Sequence, residues 1–165
     1  MPGLLCPQWV FDDYTDVTAD FLMKQGVKLL LSDLDFTLAP KKQSEPDEML
    51  KKWIDGLQAA GITFAILSNN RSGVRVEKFC KPLGIGYVGH AGKPGTRGFH
   101  EAMARYGARA EETAMLGDKL LTDMLGANLN GCLALMVEPM GGAVTPWQKV
   151  LHALQCPFKA LAWEK

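Results

Sequence analysis

The chain has 165 residues, 47% of them hydrophobic, which suffices for one well-packed core and leaves little for a second. We therefore expect a single domain over residues 1–165. Acidic and basic side chains balance at 18 each, so the net charge gives no reason to expect binding to nucleic acid. No apolar run approaches the roughly 18 residues that a transmembrane segment needs, no secretory signal is recognisable and the four cysteines are scattered, so we expect a cytoplasmic protein.

Three aromatic residues, Trp9, Phe11 and Tyr14, open the chain. They could form a patch for a membrane or a partner, but packing against the edge of a sheet is the favoured interpretation. A helix is predicted next, at 16–25, and Gly26 would end it.

Five short apolar runs, each bounded by Gly, Asp, Asn or Ser, have the length and composition of buried β-strands. They lie at 27–31, 62–67, 85–88, 113–116 and 133–137. Segments with helical periodicity alternate with them, at 47–60, 74–83, 96–106, 122–130 and 147–154. The first of these helices has Ser44 and Asp47 as a candidate capping box. The alternation predicts a three-layer α/β/α sandwich with a central, mostly parallel five-stranded sheet.

Polar residues follow four of the predicted strands. Ligands bind beyond the carboxyl ends of the strands in such a sheet, so these residues are candidates for a functional site. They are Asp33, Asp35 and Thr37 after the first strand, Ser68 and Asn69 after the second, Lys93 after the third, and Asp118 and Asp123 after the fourth.

Carboxylates that converge at one place repel each other unless a cation lies among them, and hard oxygen ligands suit Mg²⁺. Asp33, Asp35 through its backbone carbonyl, and Asp118 are the candidate ligands. We expect Asp33 to attack phosphorus and form an aspartyl-phosphate. Asp35 would protonate the leaving oxygen and then activate water. The predicted substrate-binding residues are Thr37, Ser68, Asn69 and Lys93, with Asp123 orienting Lys93 or a metal-bound water.

Four motifs in chain order resemble those of the haloacid dehalogenase superfamily. They are Asp33-Leu34-Asp35-Phe36-Thr37-Leu38, Ser68, Lys93, and Gly117-Asp118-Lys119-Leu120-Leu121-Thr122-Asp123. The resemblance implies a Rossmannoid fold and Mg²⁺-dependent phosphatase activity through the residues named above.

Within that superfamily the chain resembles subfamily IIIA and its YqeG subgroup of bacterial phosphatases, which is similar to phosphatidylglycerophosphate phosphatases. Leu38-Ala39-Pro40, Ser68-Asn69-Asn70 and residues 122–128 carry this closer resemblance. Phe36 departs from it, because that position is usually Asn in the subgroup, and this departure bears on substrate preference.

The family's cap domains are inserted in segments that here hold only one helix with a loop or one strand, so we expect no cap domain. An open site suits a phospholipid head group reached by peripheral membrane contact, and it also suits an oligomer in which a neighbour covers the site. A soluble phosphate ester or phosphoprotein as substrate, and a non-catalytic binding protein of this fold, are the alternatives. A two-component receiver domain would carry its phosphoacceptor after the third strand, where Gly89 and His90 stand.

Overall fold

The computed structural model describes residues 4–40 and 43–140. Six strands lie in these ranges: β1 Trp9–Phe11, β2 Leu29–Ser32, β3 Thr63–Leu67, β4 Gly86–Val88, β5 Thr113–Gly117 and β6 Leu133–Val137. Five α-helices accompany them: α1 Ala19–Lys24, α2 Glu48–Ala59, α3 Gly73–Cys80, α4 Arg97–Tyr106 and α5 Leu125–Leu129. A π-helical turn, Leu120–Met124, leads into α5, and short 3₁₀ turns occur at Tyr14–Asp16, Lys81–Leu83 and Ala110–Glu112.

The strands form one sheet in the order β1-β6-β5-β2-β3-β4, and every strand pair is parallel. All residues of β2 are buried, as expected of a central strand that helices cover on both faces. Leu30 packs into one core with residues of α1, α2 and α3, whereas Leu29 and Leu31 pack into a second core with residues of α4 and α5. The predicted three-layer sandwich is therefore confirmed.

The sheet has one strand more than the five predicted. The sixth is β1, a strand of 3 residues that pairs with β6 at the edge of the sheet. Its two aromatic side chains, Trp9 and Phe11, pack edge-on against Phe21 with ring centroids 4.8 and 5.3 Å apart. Tyr14 is buried and packs edge-on against Trp53. The N-terminal aromatic residues therefore pack at the sheet edge, as favoured, and two of them form a strand there.

Helix ends differ in detail from the prediction. Asp47 is itself the N-cap of α2, accepting a hydrogen bond from Leu50 N at 2.8 Å, so the capping box that begins at Ser44 is wrong. The helix predicted at 16–25 begins at Ala19 because Thr18 caps it. The helix predicted at 147–154 lies outside the described residues.

The described residues can be compared with the expectations for a cap domain, for the cysteines and for membrane-spanning helices. Between β3 and β4 the chain forms only α3 and the 3₁₀ turn Lys81–Leu83, and no cap domain is present in the ranges given above. The thiols of Cys6, Cys80 and Cys132 are free and buried. None of the helices described is long and apolar enough to cross a membrane.

Candidate active site

The carboxyl ends of the central strands bring the predicted site residues to one edge of the sheet. Asp33 directly follows β2, and its backbone amide donates to Leu116 O of β5 at 3.0 Å. Ser68 directly follows β3, and its amide donates to Val88 O of β4 at 3.0 Å. These bonds continue the hydrogen bonding of the sheet by one residue past each strand. The backbone that carries the Asp33 and Ser68 side chains is therefore held in place.

Lys93 lies at the centre of the acidic residues. Its Nζ is 2.6 Å from Asp123 Oδ1 and 3.4 Å from Asp33 Oδ1, and its side chain is only 2% exposed. Burial alone would lower the pKa of Lys93, but the Asp123 and Asp33 carboxylates raise it, so the ammonium keeps its charge. The contact with Asp123 agrees with the predicted orienting role of that residue.

Asn69 holds the backbone of Lys93. Its Nδ2 donates to Lys93 O at 3.0 Å, and Lys93 N donates to its Oδ1 at 2.8 Å. The oxygen and the nitrogen of the side-chain amide both bind the backbone of Lys93. The predicted contact of Asn69 with substrate would therefore come from its backbone amide. The side chain of Ser68 accepts a hydrogen bond from Asn70 N at 3.0 Å, which shapes the same loop.

Asp118 is buried beside the other carboxylates. Thr37 Oγ1 donates to its Oδ1 at 3.3 Å, so Thr37 contacts a carboxylate of the cluster. Burial raises the pKa of Asp118 to about 7, with Asp123 and Asp33 adding to the effect and Lys119 opposing it. A cation that approaches Asp118 therefore stabilises the ionised form of its carboxyl group.

The side chain of Asp35 contacts helix α3. Its Oδ1 is 2.7 Å from Arg75 Nη1, and Arg75 Nη2 donates to Gln43 O at 3.2 Å. Arg75 is not among the predicted site residues, because its position on an amphipathic helix gives no signal that it reaches the end of β2. The contact fixes the side chain that we predicted to act as acid and base.

Lys119 is a second residue that the sequence analysis missed. Its Nζ lies 3.1 and 3.4 Å from the two oxygens of Asp118, and 3.6 Å from Asp33 Oδ2. It also lies 5.6 Å from the centroid of the Phe36 ring. Lys119 directly follows Asp118 in the fourth motif, and this position could have identified it as a site residue.

Gly117 shows why this motif begins with glycine. A side chain at that position would collide with the Asp123 carboxylate, which the structure packs directly against the strand. The close approach lets Asp123 remain fully buried against Lys93. Any larger residue would displace this buried pair.

The residues present fit a divalent metal ion. One carboxylate oxygen from each of Asp33, Asp118 and Asp123 lies within 4.8 Å of the other two. Hard oxygen donors are the ligands that Mg²⁺ takes in proteins. Since Asp123 is paired with Lys93, Asp33 and Asp118 are the carboxylates that would hold the ion.

A family model for haloacid dehalogenase-like hydrolases matches residues 8–131. The chain is 34% identical over 127 residues to a protein of Bacillus subtilis named "Probable phosphatase YqeG", covering 77% of this chain and 73% of the relative. It is 28% identical over 169 residues to "Phosphatidylglycerophosphate phosphatase 1, chloroplastic" of Chlamydomonas reinhardtii, covering 98% of this chain and 63% of that relative.

A solved structure has the same fold. It is the 3-deoxy-D-manno-octulosonate 8-phosphate phosphatase of Moraxella catarrhalis, in complex with magnesium and phosphate ions and the sugar acid. The TM-score is 0.51 at 15% identity, and the match covers 84% of this chain and 92% of that chain. The family model and the two sequence relatives named as phosphatases confirm the predicted resemblance and enzyme class. The chain belongs to the haloacid dehalogenase-like hydrolase family.

Proposed function

We propose that this enzyme hydrolyses phosphate monoesters in two steps with Asp33 as the nucleophile. One observation carries the proposal: residues that follow three separate strands place Asp33 3.4 Å from the buried ammonium group of Lys93 and close to the Asp118 carboxylate, with which it could hold a metal ion. A carboxylate in that position can approach a phosphate dianion, because the Lys93 ammonium and a metal ion held beside Asp33 would offset the repulsion between the two anions.

In the first step a carboxylate oxygen of Asp33 bonds to phosphorus while the bond from phosphorus to the ester oxygen breaks. Asp35 gives its proton to the departing oxygen, which leaves as an alcohol. In the second step Asp35 takes a proton from a water molecule, which attacks phosphorus. The bond to Asp33 then breaks, releasing inorganic phosphate and restoring the free carboxylate.

The remaining residues hold the transferred group. The Lys93 ammonium, the Ser68 hydroxyl and backbone amides of the Asn69 loop would bind the phosphoryl oxygens. Asp33, Asp118 and the backbone carbonyl of Asp35 would hold Mg²⁺, which supplies positive charge to the phosphoryl oxygens when bound. The magnesium-bound fold neighbour supports this choice of metal.

The first test is Asp33→Asn. The variant keeps the shape of the side chain but loses the nucleophile, so we expect hydrolysis of a generic ester such as p-nitrophenyl phosphate to fall by at least about 10³-fold. Circular dichroism and the melting temperature should show a folded protein. Undiminished Mg²⁺-dependent hydrolysis by this variant would overturn the mechanism.

For the substrate we propose a phospholipid head group of the phosphatidylglycerophosphate type, reached by peripheral contact with the membrane from the cytoplasmic side. The Chlamydomonas relative supports this proposal through its name, although the chain spans only 63% of its length. Two exposed apolar side chains in the segments that follow β3 and β5 also support it: Val74 is 78% exposed and Leu121 is 58% exposed. Both belong to segments that leave the carboxyl ends of the strands, beside Ser68 and Asp118.

A further inference from the structure

The position of Lys119 is not required by the reaction steps proposed above. Its Nζ lies between Asp118 and Asp33, 3.1 Å from an oxygen of the first and 3.6 Å from an oxygen of the second. These are the two carboxylates that would hold Mg²⁺. An ammonium group therefore lies among carboxylates that would also suit a metal ion.

Lys119 differs from Lys93 in how firmly it is held. The side chain of Lys93 is 2% exposed, whereas that of Lys119 is 41% exposed. A lysine with an open path to solvent can withdraw its charged end while its aliphatic stem stays in place. Lys119 can therefore leave the carboxylates, and Lys93 cannot.

Phe36 provides the second contact of the Lys119 ammonium. The ring centroid lies 5.6 Å from Nζ, within the range of a cation–π interaction. Phe36 has φ of 64°, a left-handed conformation that is unfavourable for a bulky residue. Hydrogen bonds to Ala39 and Met140 hold its backbone in that conformation. The residue that departs from the subgroup's pattern thus contacts this lysine.

The charges of the cluster determine what the lysine does to metal binding. Three carboxylates, Asp33, Asp118 and Asp123, lie together with the ammonium groups of Lys93 and Lys119. With all three carboxylates in the ionised form that binds a metal ion, the cluster carries one excess negative charge, and removal of Lys119 would leave two. A divalent cation is attracted more strongly to the second arrangement.

We propose that Lys119 and Mg²⁺ compete for the Asp33 and Asp118 carboxylates. Lys119 is their counter-ion in the metal-free protein and moves toward solvent when Mg²⁺ binds, so it sets the Mg²⁺ concentration at which the site fills. This inference rests on the proposed metal site and adds a residue that tunes it.

Calorimetric titration with MgCl₂ tests the competition without any substrate. Lys119→Gln should bind Mg²⁺ about tenfold more tightly than the wild type, the effect of one unit charge on a divalent ion a few ångströms away. Without metal, the same variant should melt at a lower temperature, because Asp33 and Asp118 lose their counter-ion. Lys119→Arg keeps the charge and should bind Mg²⁺ within about twofold of the wild type. Lys81→Gln, which removes an exposed charge at the opposite edge of the sheet, is the matched control.

A second measurement uses the wild-type protein, so it does not depend on a variant that folds. Amine acetylation by acetic anhydride, followed by mass spectrometry, should become faster at Lys119 when Mg²⁺ is added and stay constant at Lys81. Equal or weaker Mg²⁺ binding by Lys119→Gln, or no change in acetylation of Lys119, would overturn the competition while leaving the phosphatase proposal intact. If neither wild type nor variant binds Mg²⁺, both the competition and the metal site are wrong, whereas Asp33→Asn tests the nucleophile separately.

Discussion

At the scale of single residues, Arg75 of helix α3 holds the side chain of Asp35, which follows the end of strand β2. Asp35 is the predicted acid and base, and its carboxylate meets the guanidinium at 2.7 Å. Arg75 is anchored in turn by Gln43 O. We therefore assign Arg75 as a positioning residue, which acts on the reaction through Asp35.

Replacement of Arg75 should lower kcat/KM only for substrates whose leaving oxygen must be protonated by Asp35. Arg75→Gln should lower kcat/KM for an alkyl phosphate by about ten- to a hundredfold, part of the factor that general acid catalysis supplies. For p-nitrophenyl phosphate, whose leaving group needs no proton, kcat/KM should change much less, because this ratio reports only the steps up to the first bond cleavage.

The measurement is the ratio of the two kcat/KM values. Arg75→Lys should restore part of the ratio, since it keeps a cation near Asp35. Arg71→Gln removes a neighbouring exposed charge and serves as the control. Equal losses on both substrates would mean that Arg75 has a structural role only.

At the scale of elements, the starts of the two central strands β2 and β5 are tied together by Lys28 and Glu112. Lys28 N donates to Glu112 O at 2.7 Å, and Lys28 Nζ lies 2.9 Å from Glu112 Oε1. Arg109 Nη2 lies 3.0 Å from the same oxygen. Hydrogen bonds from Lys28 and Arg109 lower the pKa of Glu112 from 4.5 to about 2.

This shift predicts how stability depends on pH. Because the pKa of Glu112 is lower in the folded protein, its contribution is complete above the ordinary value of 4.5 and is lost as pH falls toward 2. Glu112→Gln should therefore melt below the wild type at about pH 7, and the difference should shrink by about pH 3. Glu111→Gln, an exposed neighbour, is the control. A difference in melting temperature that is constant over this range would contradict the assignment.

The sequence predicted those elements whose signal is local. The other five strands were found from apolar runs, whereas the residues of β1, Trp9–Phe11, carry no such run and form a strand by pairing with β6. The π-helical turn Leu120–Met124 was not predicted, since the hydrophobic pattern there does not distinguish it from the α-helix that follows. The site follows the same rule. Asp33 and Asp118 were found from their places after strands, and Lys119 could have been found from its place directly after Asp118. Arg75 lies on a helix and reaches Asp35 through a side-chain contact that no local pattern reveals.

At the scale of the whole molecule, the site lies at an edge of the sheet that carries exposed apolar side chains. Val74 belongs to the first turn of α3, and Leu121 to the π-helical turn after Asp118. Exposed apolar residues cost little singly, but two beside a site can insert into the interface of a lipid aggregate. A soluble substrate would gain nothing from them.

This arrangement predicts a difference between lipid and soluble substrates. The double substitution Val74→Ser and Leu121→Ser removes apolar contact without touching Asp33 or Lys93, so kcat/KM for phosphatidylglycerophosphate in micelles should fall by about tenfold or more. Hydrolysis of p-nitrophenyl phosphate should stay within about twofold. Leu129→Ser, which alters a side chain 50% exposed at the far end of α5, should leave both activities unchanged. Efficient turnover of a soluble sugar phosphate or nucleotide, with none of the lipid, would overturn the phospholipid assignment. It would leave the reaction chemistry standing, because Asp33 and the Lys93 ammonium beside it can act on any phosphate monoester that reaches them.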